Sequence, residues 1–98
     1  MKSANPQYHE RVEIDVLTET EDQHTIIVWN DDVNTFDWVI DTLVDICGHS
    51  REQAEQCAMI IHHRGKYAVK KGPYDDLKPQ CDAINERHIN ATIEALAG

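Results

Sequence analysis

Residues 26–36 read Ile26-Ile27-Val28-Trp29-Asn30-Asp31-Asp32-Val33-Asn34-Thr35-Phe36. Four apolar residues give way to a polar run, and just beyond it Phe36, Val39, Ile40, Leu43 and Cys47 recur at helical spacing. Residues 30–35 are therefore a strand-to-helix turn. Asn and Asp suit such turns because their short side chains bond nearby backbone N–H groups, and Asn34 or Thr35 is placed to cap the helix that follows. Asp37, close to the positive end of that helix, needs no further explanation. Asn30, Asp31 and Asp32 exceed what one cap requires. They leave an acidic lip, rich in hydrogen-bond acceptors, at the end of an apolar element, and a cationic donor would complement it.

The rest of the composition agrees with a partner of that kind. The chain has 98 residues, 41% of them hydrophobic, with four Gly and three Pro, which fits one compact domain with a small core. A net charge of −9 argues against a phosphate-binding surface, so nucleic acid is not an expected partner. Cys47, Cys57 and Cys81 form no CxxC pair and fall on helical patterns, which suggests reduced thiols in a reducing compartment. No apolar run reaches the ~18 residues that a membrane span needs, and the polar N-terminus lacks the apolar core of a secretion signal. The expected location is the cytoplasm, with no membrane partner.

Outward from the turn, residues 1–23 are rich in Glu, Asp, Thr and His, and Val12, Ile14 and Val16 alternate only weakly. This segment is expected to be an acidic, mobile arm, and the folded domain to span residues 24–98. The first helix is expected over 35–47, closed by Gly48. Ser50-Arg51-Glu52-Gln53 is a capping box for a second helix, in which Ala54, Cys57, Ala58 and Ile61 share one face and Gly65 provides the stop. Residues 66–71 alternate as a short strand with Tyr67 and Val69 on one side. A third helix carries Leu77, Cys81 and Ile84 inward, and Pro79 requires either that it begin near Tyr74 and kink there or that it begin near Lys78. Ala91, Ile93 and Ala95 suggest a closing strand. The order is β-α-α-β-α-β.

Six histidines invite a metal hypothesis, but His62 and His63 project about 100° apart on a helix and no HxxxH or CxxC spacing supplies a second ligand. No cofactor is expected. A small hydrolase or metal-dependent enzyme using His62, Asp31 and a cysteine is the enzymatic alternative. It is weakened by the placement of Cys57 on the apolar face of the second helix. His62 closes that helix at the rim of whatever its apolar face covers.

Asn30-Asp31-Asp32 after an apolar strand, followed some thirty residues on by His62-His63-Arg64-Gly65-Lys66 after an amphipathic helix, resembles the ClpS family. Its members are small bacterial and plastid adaptors, not enzymes. They bind the N-terminal residue of a protein due for degradation and deliver it to a Clp-type AAA+ unfoldase, of the ClpA or ClpC class, and its peptidase. The resemblance implies an α+β fold in two layers, a three-stranded antiparallel sheet against three helices, which agrees with the order of elements read above. It implies that Asn30, Asp31 and His62 hold the substrate's free α-amino group. Asp32, Asn34, Thr35 and Phe36 would continue the rim, and Val39, Ala58, Ile61 and Ile89 would line the pocket for an N-terminal Leu, Phe, Trp or Tyr side chain. The unfoldase would dock around Lys66, Tyr74, Asp75 and Gln80. This chain departs from the family at Asn34-Thr35-Phe36, where Thr-Pro-Met is common, and at His63, where Tyr is frequent. Ala58 stands at a gate usually filled by a larger apolar side chain, which extends the expected preference to Ile and Val.

Overall fold

The computed structural model describes residues 23–96. It consists of β1 (Gln23–Trp29), α1 (Phe36–Cys47), α2 (Arg51–Arg64), β2 (Lys66–Pro73), α3 (Tyr74–Glu86) and β3 (Ala91–Ala95). Both outer strands pair antiparallel with β1, giving the sheet order β2-β1-β3. The fold is α+β, with three helices against one sheet. The segment expected to be an arm, with Val12, Ile14 and Val16, lies outside the described residues except for Gln23, which opens β1 and pairs with Pro73.

Alternation along β1 sends Ile26 and Val28 into the core beneath the helices, at 0% and 1% exposure, where they join Leu43 of α1 and Leu77 and Ile84 of α3. Ala54, Cys57, Ala58 and Ile61 present the buried face of α2, and the small side chains among them let this helix lie close to its neighbours. α1 and α2 form a hairpin closed by two glycines. Gly48 and Gly65 adopt φ of 74° and 91°, and the Gly65 N–H donates to the Ile61 carbonyl at 2.8 Å. The Ser50–Gln53 capping box forms in both directions.

Three details differ from, or decide between, the expectations. The cap of α1 is Thr35, whose Oγ1 accepts from the Trp38 N–H at 3.1 Å, so the helix begins at Phe36 and Asn34 is released for another task. β2 continues two residues further than expected, to Pro73, and carries a bulge: Ile26 faces Lys70 and Ile27 faces Ala68, which leaves Val69 as the extra residue. Val69 is buried while Tyr67 stays largely exposed, so the two share a side without sharing the core. Finally, α3 begins at Tyr74 and runs through Pro79. The bond that Pro79 cannot donate would have gone to the carbonyl of Asp75, an exposed residue in the first turn where water can satisfy it.

β3 is tied to α3 by one side chain. The Asn85 Nδ2 donates to the Ala91 carbonyl at 3.0 Å while its Oδ1 accepts from the Ala91 N–H at 2.9 Å, so a carboxamide closes the sheet edge as a strand would. Ala91 is only 4% exposed, and these backbone groups have little access to water. Replacing Asn85 with Ala should cost about 1–3 kcal/mol, the penalty for unpaired buried polar groups. Urea unfolding of Asn85→Ala tests this, and a midpoint equal to that of the native protein would show that the carboxamide is dispensable.

Candidate functional site

Two backbone bonds fix the root of the turn after β1. The Trp29 N–H donates to the Asn90 carbonyl and the Asn30 N–H to the Gly65 carbonyl, each at 2.9 Å. The second bond brings the end of α2, and hence His62, beside Asn30. Asp31 then organises the turn from within. Its Oδ1 accepts from the Val33 and Asn34 N–H groups at 2.8 and 2.7 Å, and its Oδ2 accepts from the Asn34 carboxamide at 2.7 Å. These donors, Asn34 foremost, hold the Asp31 carboxyl below the ordinary aspartate range.

Around this turn lies a cavity of about 330 Å³. Asn30, Asp31, Asp32 and His62 supply polar groups, while Val39, Ala58 and Ile61 supply apolar wall from α1 and α2. Asn34, Thr35 and Phe36 complete the lining. The His62 ring makes two edge-on ring contacts, with Phe36 at 5.8 Å and with His63 at 5.4 Å. Ile89 is the exception. It is buried, and it borders a smaller cavity of about 20 Å³ that shares Asn30, Asp31, Asn34, Val39 and Ile61 with the larger one.

Of the residues expected to dock an unfoldase, Tyr74, Asp75 and Gln80 lie in the first two turns of α3, while Lys66 stands at the far end of β2. Lys66 opens β2, with its ammonium 4.8 Å from the centre of the Trp29 ring. Tyr74 follows the other end of that strand and packs edge-on against His24 at 5.4 Å, with Asp75 exposed next to it. Gln80 points back along α3, donating to the Asp76 carbonyl at 3.2 Å, and its Oε1 is buried with no hydrogen-bond partner among the described residues.

Chemically, the cavity can accept hydrogen bonds and attract positive charge at one end while burying hydrocarbon at the other. It is poorly equipped for nucleophilic attack. All three cysteines are buried; burial pushes the Cys47 thiol up to about 11 and raises Cys57 and Cys81 as well, away from the reactive thiolate. Cys57 borders a different depression, beside His49 and Tyr67, and so is not juxtaposed with Asp31 and His62. Among the described residues no group of three or more His, Cys, Asp or Glu side chains is arranged to hold a metal, and no helix is long and apolar enough to cross a membrane.

Sequence reasoning did not assign Trp38, Arg87 and His88. The Trp38 Nε1 donates to the Arg87 carbonyl at 3.1 Å and the Asn34 Nδ2 to the His88 carbonyl at 2.9 Å. An indole on the exposed side of a helix was the available signal, but its acceptor is a backbone atom 49 residues away, which no side-chain pattern encodes.

Fold and cavity together define a small α+β binding domain with an acceptor-rich end and an apolar end. Residues 19–95 match the family described as ATP-dependent Clp protease adaptor protein ClpS, and the chain belongs to that family. It is therefore an adaptor of the Clp protease system. Among similar proteins, the ATP-dependent Clp protease adapter protein ClpS of Corynebacterium aurimucosum is 29% identical over 91 residues, covering 93% of this chain and 82% of that one. The ClpS of Nocardia farcinica is 27% identical over 86 residues, covering 87% and 81%. The structure of Agrobacterium tumefaciens ClpS2 bound to L-phenylalaninamide shares the fold, with a TM-score of 0.71 at 17% identity over 78% of this chain and 99% of that one.

The depressed Asp31 titration gives the turn a pH signature. A carboxyl whose folded-state pKa lies below its ordinary value of 3.8 contributes stability above that value and loses it as pH falls through the folded pKa. The Val33 and Asn34 amide proton shifts should therefore titrate with a midpoint below the ordinary aspartate value. A titration of these two amides with its midpoint above the ordinary aspartate value would contradict the bonding described.

Proposed function

We propose that this protein recognises the N-terminal residue of other polypeptides, binding the free α-amino group together with a bulky hydrophobic side chain, and delivers them to a Clp AAA+ unfoldase of the ClpA or ClpC class and its peptidase. The observation that carries this reading is the union, in one cavity, of Asn30, Asp31 and His62 with the apolar wall of Val39, Ala58 and Ile61. A protonated amine offers three N–H donors, and an amide oxygen, a carboxylate and a neutral imidazole nitrogen are three acceptors. Asp31 already accepts three internal bonds, yet two carboxylate oxygens have about four acceptor directions, and its charge remains to attract an ammonium. The related Agrobacterium ClpS2 is bound to L-phenylalaninamide, a molecule that combines a free amine with a large apolar side chain.

Energetics explain why both halves are needed. Burying a Leu or Phe side chain contributes about 1.5–3 kcal/mol, whereas micromolar binding needs about 8 kcal/mol. The amine contacts must supply much of the remainder, and so they select true chain ends over internal hydrophobes. Preference among first side chains follows from Ala58. Its methyl group leaves room where a longer gate residue would meet a branch at Cβ, so peptides beginning with Ile or Val join those beginning with Leu, Phe, Trp or Tyr, though more weakly. The acidic segment before β1, residues 1–22, is suited by its length to engage the unfoldase. Buried, reduced thiols fit the cytoplasm, where such partners work.

One set of fluorescence anisotropy titrations tests the reading. Asp31→Ala should weaken a Leu-starting peptide ten- to a hundredfold, consistent with about 1.5–3 kcal/mol for a hydrogen bond to a charged group, and N-acetylation of the peptide should do at least as much. Ala58→Met should abolish binding of Ile- and Val-starting peptides while sparing Leu and Phe. An acetylated peptide that binds as tightly as the free one would refute the amine grip, and Ile or Val binding unchanged in Ala58→Met would refute the gate.

A further inference from the structure

The connection between α3 and β3 is short and bent. His88 adopts φ of 68°, a left-handed conformation uncommon outside glycine, and the Arg87 and His88 N–H groups turn back to the carbonyls of Ile84 and Asn85 at 3.0 and 2.9 Å. Bent in this way, the connection leaves two successive carbonyls, those of Arg87 and His88, directed toward α1 and the turn before it. Each is met by a side-chain donor from that region: the Trp38 indole N–H at 3.1 Å and the Asn34 carboxamide at 2.9 Å. Both Asn34 amide protons are thereby used, since its Nδ2 also donates to Asp31. The Arg87 side chain returns over the Trp38 ring at 5.3 Å and pairs with Asp45 at 3.2 Å. The residue that follows this clamped pair is Ile89, 3% exposed and bordering the small cavity behind Val39 and Ile61.

We propose that Trp38 is a positioning residue for specificity: by holding the Arg87 carbonyl while Asn34 holds that of His88, it fixes Ile89 as the floor of the pocket and so limits the size of the first side chain that the pocket accepts. The inference rests on the reading of the cavity given above. Its physical basis is that Ile89 lines the 20 Å³ cavity, which shares five of its residues with the 330 Å³ cavity that Ile89 itself does not line. With the clamp in place the floor is preorganised. Without it Ile89 can yield, the two spaces merge, and an indole gains what a Leu side chain loses.

The test removes the indole N–H in two ways. Trp38→Phe keeps a ring beneath Arg87, and benzothienylalanine placed at position 38 keeps the whole bicycle with sulfur instead of N–H, which covers the case in which Trp38→Phe does not fold. Peptides beginning with Leu and with Trp, free and N-acetylated, are titrated against the native protein, each of these variants, Ile89→Ala and the Trp38→Phe/Ile89→Ala double variant. The proposal expects the ratio of Leu to Trp affinity to fall at least fivefold in Trp38→Phe and in the benzothienyl protein, with Ile89→Ala moving it the same way. The double variant should fall short of the product of the two single effects, because both act on one floor. A ratio within twofold of native in a folded variant overturns the proposal, as does an equal loss for both peptides, which is what a merely structural contact would give. The acetylated peptides separate the two claims. If the native protein does not distinguish free from acetylated ends, the reading of the cavity itself fails; if it does and the ratio stays put, the clamp alone is wrong.

Discussion

The structure of the site depends on one carboxylate bonded inward. Asp31 gathers the N–H groups of Val33 and Asn34 and the Asn34 carboxamide onto its two oxygens, and the turn closes around it. Each neighbouring element depends on that closure. Thr35 reaches the cap of α1 only because the turn ends there, Asn34 reaches the connection before β3 because its carboxamide is already aligned by Asp31, and Asn30 meets Gly65 at the end of α2. A group that must already order a turn loses little further freedom when it meets a ligand. That is the physical meaning of preorganisation at this site.

The same arrangement, on the proposed function, would let a chain with a net charge of −9 select its ligand. Excess negative charge attracts any cation, lysine side chains included, but diffuse attraction does not specify a partner. On the proposed function, selection would arise where acceptors and hydrocarbon meet within one cavity, so that an ammonium and an apolar side chain arrive together on the same residue.

Much of this was legible in the sequence because it is encoded locally. The apolar run before Asn30, the Ser50–Gln53 box, and Gly48 and Gly65 beyond two amphipathic stretches each state an element and its end within a few residues. Alternation likewise revealed β3. What escaped depends on distant atoms. The bulge at Val69 arises because β2 must match the register of β1 at both ends, and the continuation of α3 through Pro79 depends on an exposed first turn in which the missing bond costs little. The acceptor-rich lip was visible as three adjacent polar letters, whereas the hold of Trp38 on the Arg87 carbonyl was not, since every residue type carries such a carbonyl.

On the proposed function, Asn30, Asp31 and His62 face the α-amino group of a ligand while Val39, Ala58 and Ile61 face its side chain. Amide chemical-shift mapping with leucinamide and with N-acetyl-leucinamide tests it most directly. The account predicts that leucinamide shifts residues 30–36 and 58–62 together, and that the acetylated compound, at the same concentration, leaves them in place. Equal shifts from the two compounds, or shifts centred on β2 and the start of α3, would contradict it.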